Sequence, residues 1–234
     1  LETLTGNDGD CFAGMAGGVA TIESRSLQAQ VVQPTGVTKV GAVSEEFVQV
    51  TLNGAKTHLS CTFGEPNGSN ALWDETRALH EGLAAVRTGD LWGFQATSNL
   101  TLEIPQTYSG ARDFSEGLAP VQSADGLWGY INKRGRMVIA PRFNAAFGFS
   151  DGLAGVTLGD KRGFITYDGT FAVQPVFDDF WRHDGGVAAV KQGESWVVIA
   201  PDITSPATRF NLPLARLTTA LKLRLPPIVV TPSS

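Results

Sequence analysis

The densest run of chemically capable side chains lies at residues 178–184, where Asp178 and Asp179 precede Trp181, Arg182, His183 and Asp184. Two carboxylates beside an imidazole and a guanidinium could hold a metal ion or divide the work of general acid and base. Nothing elsewhere in the chain converges on them. The other histidines, His58 and His80, belong to distant segments, and nucleophile, phosphate-loop and metal-spacing signatures are missing. The expectation is therefore no catalytic residue, no metal and no cofactor, with 178–184 read as a polar bend that serves as a contact surface. Gly6-Asn-Asp-Gly-Asp10 has the side chains of a calcium loop but no glutamate at the required offset, so it reads as a turn. Asn67-Gly-Ser69 and Asn99-Leu-Thr101 match the glycosylation sequon, a short pattern for which chance is the default explanation.

Composition narrows the elements that must carry these residues. The 27 glycines and 12 prolines suit many short strands joined by tight turns rather than long helices. Only 18% of residues are charged and the formal net charge is −5, with no Lys or Arg run, which argues against nucleic-acid binding. No apolar stretch approaches the ~20 residues that span a bilayer, so no transmembrane segment is expected. Cys11 and Cys61 suit either one disulfide or two buried thiols. Few lysines, a start at Leu1 typical of a processed product, and the glycine-rich β composition favour an extracytoplasmic setting: periplasmic, envelope-associated or secreted.

The chain repeats itself. Glu116-Gly-Leu-Ala-Pro-Val121, then Leu127-Trp-Gly-Tyr-Ile131, then Met137-Val-Ile-Ala-Pro141 recur as Asp151-Gly-Leu-Ala-Gly-Val156, Lys161-Arg-Gly-Phe-Ile165 and Phe171-Ala-Val-Gln-Pro175. One unit earlier stand Glu81-Gly-Leu-Ala-Ala-Val86, Leu91-Trp-Gly-Phe94 and Leu102-Glu-Ile-Pro105; a weaker copy begins at Gly185 and reaches Trp196. Val86, Val121, Val156 and Val190 are spaced by 35, 35 and 34 residues. Upstream, Glu45-Glu-Phe-Val-Gln-Val50 and Gly17-Gly-Val-Ala-Thr-Ile22 extend the register, giving six units. The fold expected is all-β, an array of six units of about 35 residues, each a three-stranded meander, stacked into a curved or superhelical repeat. A closed propeller-like or barrel-like ring is the alternative. Within a unit, the third strand is expected to end at Pro105, Pro141 or Pro175, and an aromatic-rich bend leads onward. Residues 1–77 form degenerate repeats, 78–204 the regular ones, and 205–234 a leucine-rich, more basic tail suited to capping or docking.

The run Phe114-Ser-Glu-Gly-Leu-Ala-Pro-Val121, Leu127-Trp-Gly-Tyr-Ile131, Val138-Ile-Ala-Pro141 and Phe149-Ser-Asp-Gly-Leu-Ala154 resembles the WG-repeat (KWG-repeat) family of bacterial β-repeat proteins. The resemblance is specific over 78–182 and weaker to 204. Arg162-Gly163 replaces Trp-Gly in the fifth unit, and Trp196-Val197 departs from it in the sixth. The family implies a non-enzymatic scaffold, often secreted or envelope-associated, and specifies no ligand.

Trp92, Trp128, Trp196, Gly93, Gly129 and Gly163 are expected to be structural, the tryptophan burying area against a neighbouring unit and the glycine admitting a close backbone. The expected function is protein binding, in one version as an inhibitor or immunity-type partner of a basic secreted toxin or enzyme. The alternative is a glycan or cell-wall module that uses exposed aromatics.

Overall fold

The structure, a computed structural model, describes residues 3–8, 11–24, 30–45, 47–61, 72–96, 101–184 and 186–200. The tail 205–234, the sequon asparagines Asn67 and Asn99, and Asp10 lie outside the described residues. Every described element is a strand, and consecutive strands pair antiparallel in six sheets, none closed into a barrel. The first sheet contains β1 (Thr3–Asp8), β2 (Cys11–Ala16), β3 (Val19–Ser24) and β4 (Gln30–Val32). The second contains β5 (Val37–Ser44), β6 (Phe47–Leu52) and β7 (Ala55–Ser60). The third is built from β8 (Glu75–His80), β9 (Leu83–Thr88), β10 (Leu91–Ala96) and β11 (Leu102–Tyr108). The fourth holds β12 (Gly110–Ala111), β13 (Leu118–Gln122), β14 (Trp128–Asn132) and β15 (Met137–Phe143). In the fifth are β16 (Ala145–Ser150), β17 (Leu153–Leu158), β18 (Lys161–Ile165) and β19 (Phe171–Phe177). The sixth comprises β20 (Asp179–Asp184), β21 (Val187–Gln192) and β22 (Ser195–Ile199).

The all-β repeat array is as expected, but each regular sheet has four strands rather than three. The segment read as an inter-unit bend is itself a strand, the first of its sheet. Its pairing shifts register between Thr76 and Leu79, between Ala146 and Phe149, and between Phe180 and His183, so two residues bulge out opposite one. That bulge breaks the period-two alternation by which a strand is recognised. At the N-terminus the expected register is one strand late, because Gly17-Gly18 forms the hairpin turn after β2 and Val19–Ile22 belong to β3. The equivalent positions are Gly14, Val50, Val86, Val121, Val156 and Val190, which pair with Thr21, Thr57, Gly93, Gly129, Gly163 and Val197.

The prolines do not end their strands. β11, β15 and β19 run through Pro105, Pro141 and Pro175 as sheet edges, where a missing N–H costs no ladder bond. Pairing shifts there too: Trp128 faces Phe143, yet Tyr130 faces Ile139. The edge strand consequently presses its backbone onto the glycine of the Trp-Gly pair. A Cβ on Gly129 would lie 2.5 Å from the Ile139 carbonyl and 2.8 Å from the Pro141 nitrogen. On Gly93 it would lie 2.4 Å from the Ile104 carbonyl, and on Gly163 2.4 Å from that of Val173. Glycine and proline, 12 residues apart in each unit, are two halves of one bulge. In the sixth sheet β22 has no outer partner among the described residues, and there Val197 takes the glycine position.

The core lies between sheets. The first strand of each sheet packs on central strands of the preceding one, and separate apolar clusters fill the junctions. Ala85, Phe94, Phe114, Val121 and Ile131 are among the buried residues joining the third and fourth sheets, while Tyr130, Phe149 and Val156 help join the fourth and fifth. The first junction adds a disulfide between Cys11 and Cys61, both buried. The second junction is polar instead: Gln49 donates to Thr76 Oγ1 at 2.6 Å, and Thr57, His58, Thr76 and Gln95 are all buried.

A second device repeats at the hairpin between the first two strands. Glu45, Glu81, Glu116 and Asp151 occupy left-handed backbone positions, with φ of 48°, 56°, 53° and 50°. Such φ favours Gly or Asn in two-residue hairpins. Each side chain has another use, accepting bonds from the same hairpin of the next sheet. Glu45 binds the amides of Glu81 and Gly82, the latter at 2.7 Å. Glu81 binds Gly117 N at 3.0 Å. Glu116 binds Asp151 N at 2.7 Å and Gly152 N at 3.0 Å, and Asp151 binds Gly186 N at 3.2 Å. Successive amides of a left-handed turn form an anion nest, and each carboxylate fills the one beyond it.

Glu116→Gly separates turn strain from this clasp, since glycine suits the backbone better but carries no carboxylate. The variant is expected to lose about 1–2 kcal/mol despite the relieved strain, read as a lower Tm. An unchanged or raised Tm would show the clasp to be dispensable.

Candidate functional site

The residues of 178–184 do not converge on one point. Asp178 accepts from Gly193 N at 2.7 Å, pinning the hairpin between β21 and β22, and pairs with Lys161 Nζ at 2.6 Å. That ammonium bond leads the causes that hold its carboxyl below the usual range. Asn144 and Asp74 make the same hairpin bond in their own sheets, to Gly159 N and Gly89 N at 2.7 Å each. Asp179 pairs with Arg162 and accepts its neighbouring amide, Phe180 N, at 2.7 Å. His183 is buried, with Nδ1 2.9 Å from the Ser150 carbonyl, at the register position where Leu79, Phe114 and Phe149 fill the core of earlier sheets. Trp181 is 49% exposed. Arg182 and Asp184 belong to β20, and their side chains lie outside the description.

The first residue of the bulge in each first strand and the tryptophan position of the Trp-Gly pair on each third strand are equivalent from sheet to sheet, two residues apart along the ladder. From the third sheet onward these pairs are Arg77 with Trp92, Arg112 with Trp128, Phe147 with Arg162, and Trp181 with Trp196. In the third sheet the Arg77 guanidinium lies 5.4 Å from the Trp92 ring, which Arg87 also approaches at 5.7 Å. In the fourth, Arg112 lies 5.1 Å from Trp128 and 4.8 Å from Phe147 of the next sheet. The fifth sheet exchanges the residue types, and Arg162 stacks on Phe180 at 5.6 Å. These distances fit cation–π attraction. Trp92 is thereby buried and Trp128 half-buried, so neither offers an open ring.

Phe180 is itself a local adjustment. Its counterparts Thr76, Ala111 and Ala146 are small, and its ring fills the space over Gly155, where a Cβ would meet it at 2.3 Å. Ala85, Pro120 and Ala189 occupy the position of Gly155 in other sheets. Rings of Phe147 and Phe164 each lie 5.2 Å from that of Phe180. The departure from Trp-Gly at Arg162 is thus matched by changes at three neighbouring positions.

His58 corresponds to Phe94, Tyr130 and Phe164, the aromatic after the Trp-Gly pair. Its Nε2 lies 3.0 Å from the Arg77 carbonyl, just as Tyr130 donates its hydroxyl to the equivalent Phe147 carbonyl at 2.9 Å. Burial lowers the His58 pKa from 6.5 to about 4, against the opposing pull of its hydrogen bonds. The folded pKa lies below the unfolded one, so the unfolded chain takes up the proton first as pH falls. His58 therefore permits full stability above pH 6.5 and withdraws roughly 3 kcal/mol between there and pH 4. His58→Tyr, which borrows the residue of the fourth sheet, is expected to flatten the unfolding free energy across that window relative to the wild type. An identical pH profile in both proteins would contradict this.

The WG containing repeat pattern matches residues 102–127, 128–161 and 163–196. No curated protein is similar to the chain at a significant level. Among solved structures the chain is similar to Hsv2 of Kluyveromyces marxianus, at 12% identity and a TM-score of 0.51 over 85% of this chain and 71% of that one. Hsv2 of Kluyveromyces lactis is similar at 11% identity and a TM-score of 0.50, over 85% and 72% of the two chains. At such identity the likeness concerns the fold, a propeller-like succession of small sheets. Residues 102–196 thus carry three consecutive WG containing repeats, and the Gly–Pro bulges of Gly129 with Pro141 and Gly163 with Pro175 fall within that stretch.

Proposed function

We propose that this β-repeat scaffold is a non-enzymatic, protein-binding module that works outside the cytoplasm, as an inhibitor or immunity-type partner of a basic secreted toxin or enzyme. The observation that carries the reading is the contrast within the last sheet. Asp178, Asp179 and His183 are committed to structural bonds, while Trp181 and Trp196 stand 49% and 40% exposed. Tryptophan is enriched among residues that dominate protein interfaces. A net charge of −5 favours encounter with a positively charged protein. The Cys11–Cys61 disulfide supports an oxidising compartment. No helix among the described residues is long and apolar enough to cross a membrane.

Affinity capture from the producing cells and their medium, with the folded disulfide-bonded chain as bait and a reduced, unfolded chain as control, tests this. The expected result is one basic protein, retained stoichiometrically, released by salt, and inhibited by the chain when assayed alone. Retention of polysaccharide with no enriched protein would replace the reading with a glycan-binding one.

A further inference from the structure

A guanidinium–aromatic contact joins the first-strand bulge to the third-strand position within the third and fourth sheets, and in the fifth, where the residue types are exchanged, the contacts run to the neighbouring sheets. Whichever strand carries the aromatic, a guanidinium lies on it: Arg77 on Trp92, Arg112 on Trp128, and Arg112 also on Phe147, with Arg162 on Phe180 beyond. The sixth sheet breaks the form. Trp181 leaves β20 at the same bulge as Arg77, and Trp196 stands on β22 in the register of Trp92, facing Lys191 across the ladder as Trp92 faces Arg87. Both positions are aromatic and both are exposed, and no described guanidinium covers either ring. Arg162 is occupied with Asp179 and Phe180. Lys191 stands between Asp179 and Trp196 in the ladder. The second sheet carries Gly41 and Lys56 at these positions, so the pairing of aromatic and guanidinium belongs to the regular sheets.

We infer that Trp181 and Trp196 form a receptor for an arginine side chain of a partner protein, whose guanidinium takes the place that the chain's own arginines hold in the third and fourth sheets. The inference rests on the protein-binding reading above and adds the chemistry of the contact. A planar guanidinium stacks on aromatic faces more readily than an ammonium does, and an indole is the most favourable ring for it. Exposed Glu194, two residues before Trp196, stands within the same hairpin and favours a cation there.

The test uses the intact chain and two defined peptides, a Gly/Ser hexapeptide with one central arginine and its twin with neutral citrulline. The readout is the pair of indole N–H resonances of Trp181 and Trp196. The arginine peptide is expected to shift both saturably, with the citrulline peptide weaker by roughly tenfold or more. Trp181→Arg restores the arrangement of Arg77 and Trp92 within the chain, and is expected to abolish the peptide response while the Tm holds or rises. Trp196→Ser, at an exposed position, is expected to stay folded and lose the response as well. Equal shifts with citrulline, unmoved indoles, or shifts with a chitin oligosaccharide but not with arginine would each overturn the receptor. The two readings fail separately. A captured inhibitor target that still binds the Trp196→Ser chain defeats the arginine receptor and leaves the scaffold reading intact, whereas capture of no protein defeats the scaffold reading itself.

Discussion

The array depends on a carboxylate that reaches from one hairpin into the next. A sheet of three or four short strands buries too little apolar surface to stand alone, so each must be held in a fixed relation to its neighbour. The hairpin amides of Gly82, Gly117, Gly152 and Gly186 need acceptors, and the acid of the preceding unit supplies them at each junction. This explains why glutamate persists at a backbone conformation that costs it strain. Its side chain is a strut between units, and the strain at φ near 50° is the accompanying cost. After Asp151 the ladder stops, because the sixth hairpin carries Gly185-Gly186 in place of an acid and glycine.

Within each sheet the Trp-Gly pair and the later proline solve a different problem, that of adding an edge strand with a built-in bulge. The edge backbone lies against the glycine so closely that any side chain there would displace it. Freed from ladder pairing, proline can sit at the irregularity and discourage edge-to-edge association. The tryptophan beside the glycine is then covered by an arginine from the first strand. One sheet reverses the two residue types and another carries only the aromatic half, which is where the proposed partner enters. Function in this reading arises from an incomplete repeat rather than from an added motif.

Much of this was legible in the sequence and some was not, for physical reasons. The period, the all-β class and the steric role of Gly93, Gly129 and Gly163 follow from composition and self-similarity. The first strand of each sheet was hidden because its bulge disrupts alternation, so Asp179–Asp184 read as a polar bend. The clasp was hidden because Glu45, Glu81 and Glu116 look like ordinary turn residues until the next hairpin is placed beside them. A clue existed, since glutamate before glycine in a two-residue hairpin is a poor local choice, and its recurrence pointed to a tertiary reason. The acids at 178 and 179 were visible as a cluster, but their separate duties depend on Gly193, Lys161 and Arg162, which no linear pattern brings to them.

The central claim, that carboxylate clasps hold the sheets in register, is tested most directly by amide hydrogen exchange at the hairpins. With the carboxylates ionised, the account predicts strong protection of the Gly82, Gly117 and Gly152 amides. Replacing Glu81 by glutamine should release Gly117 selectively, leaving the Gly82 and Gly152 amides slow. Equal protection of all three in the variant, or fast exchange at these amides in the wild type, would contradict it.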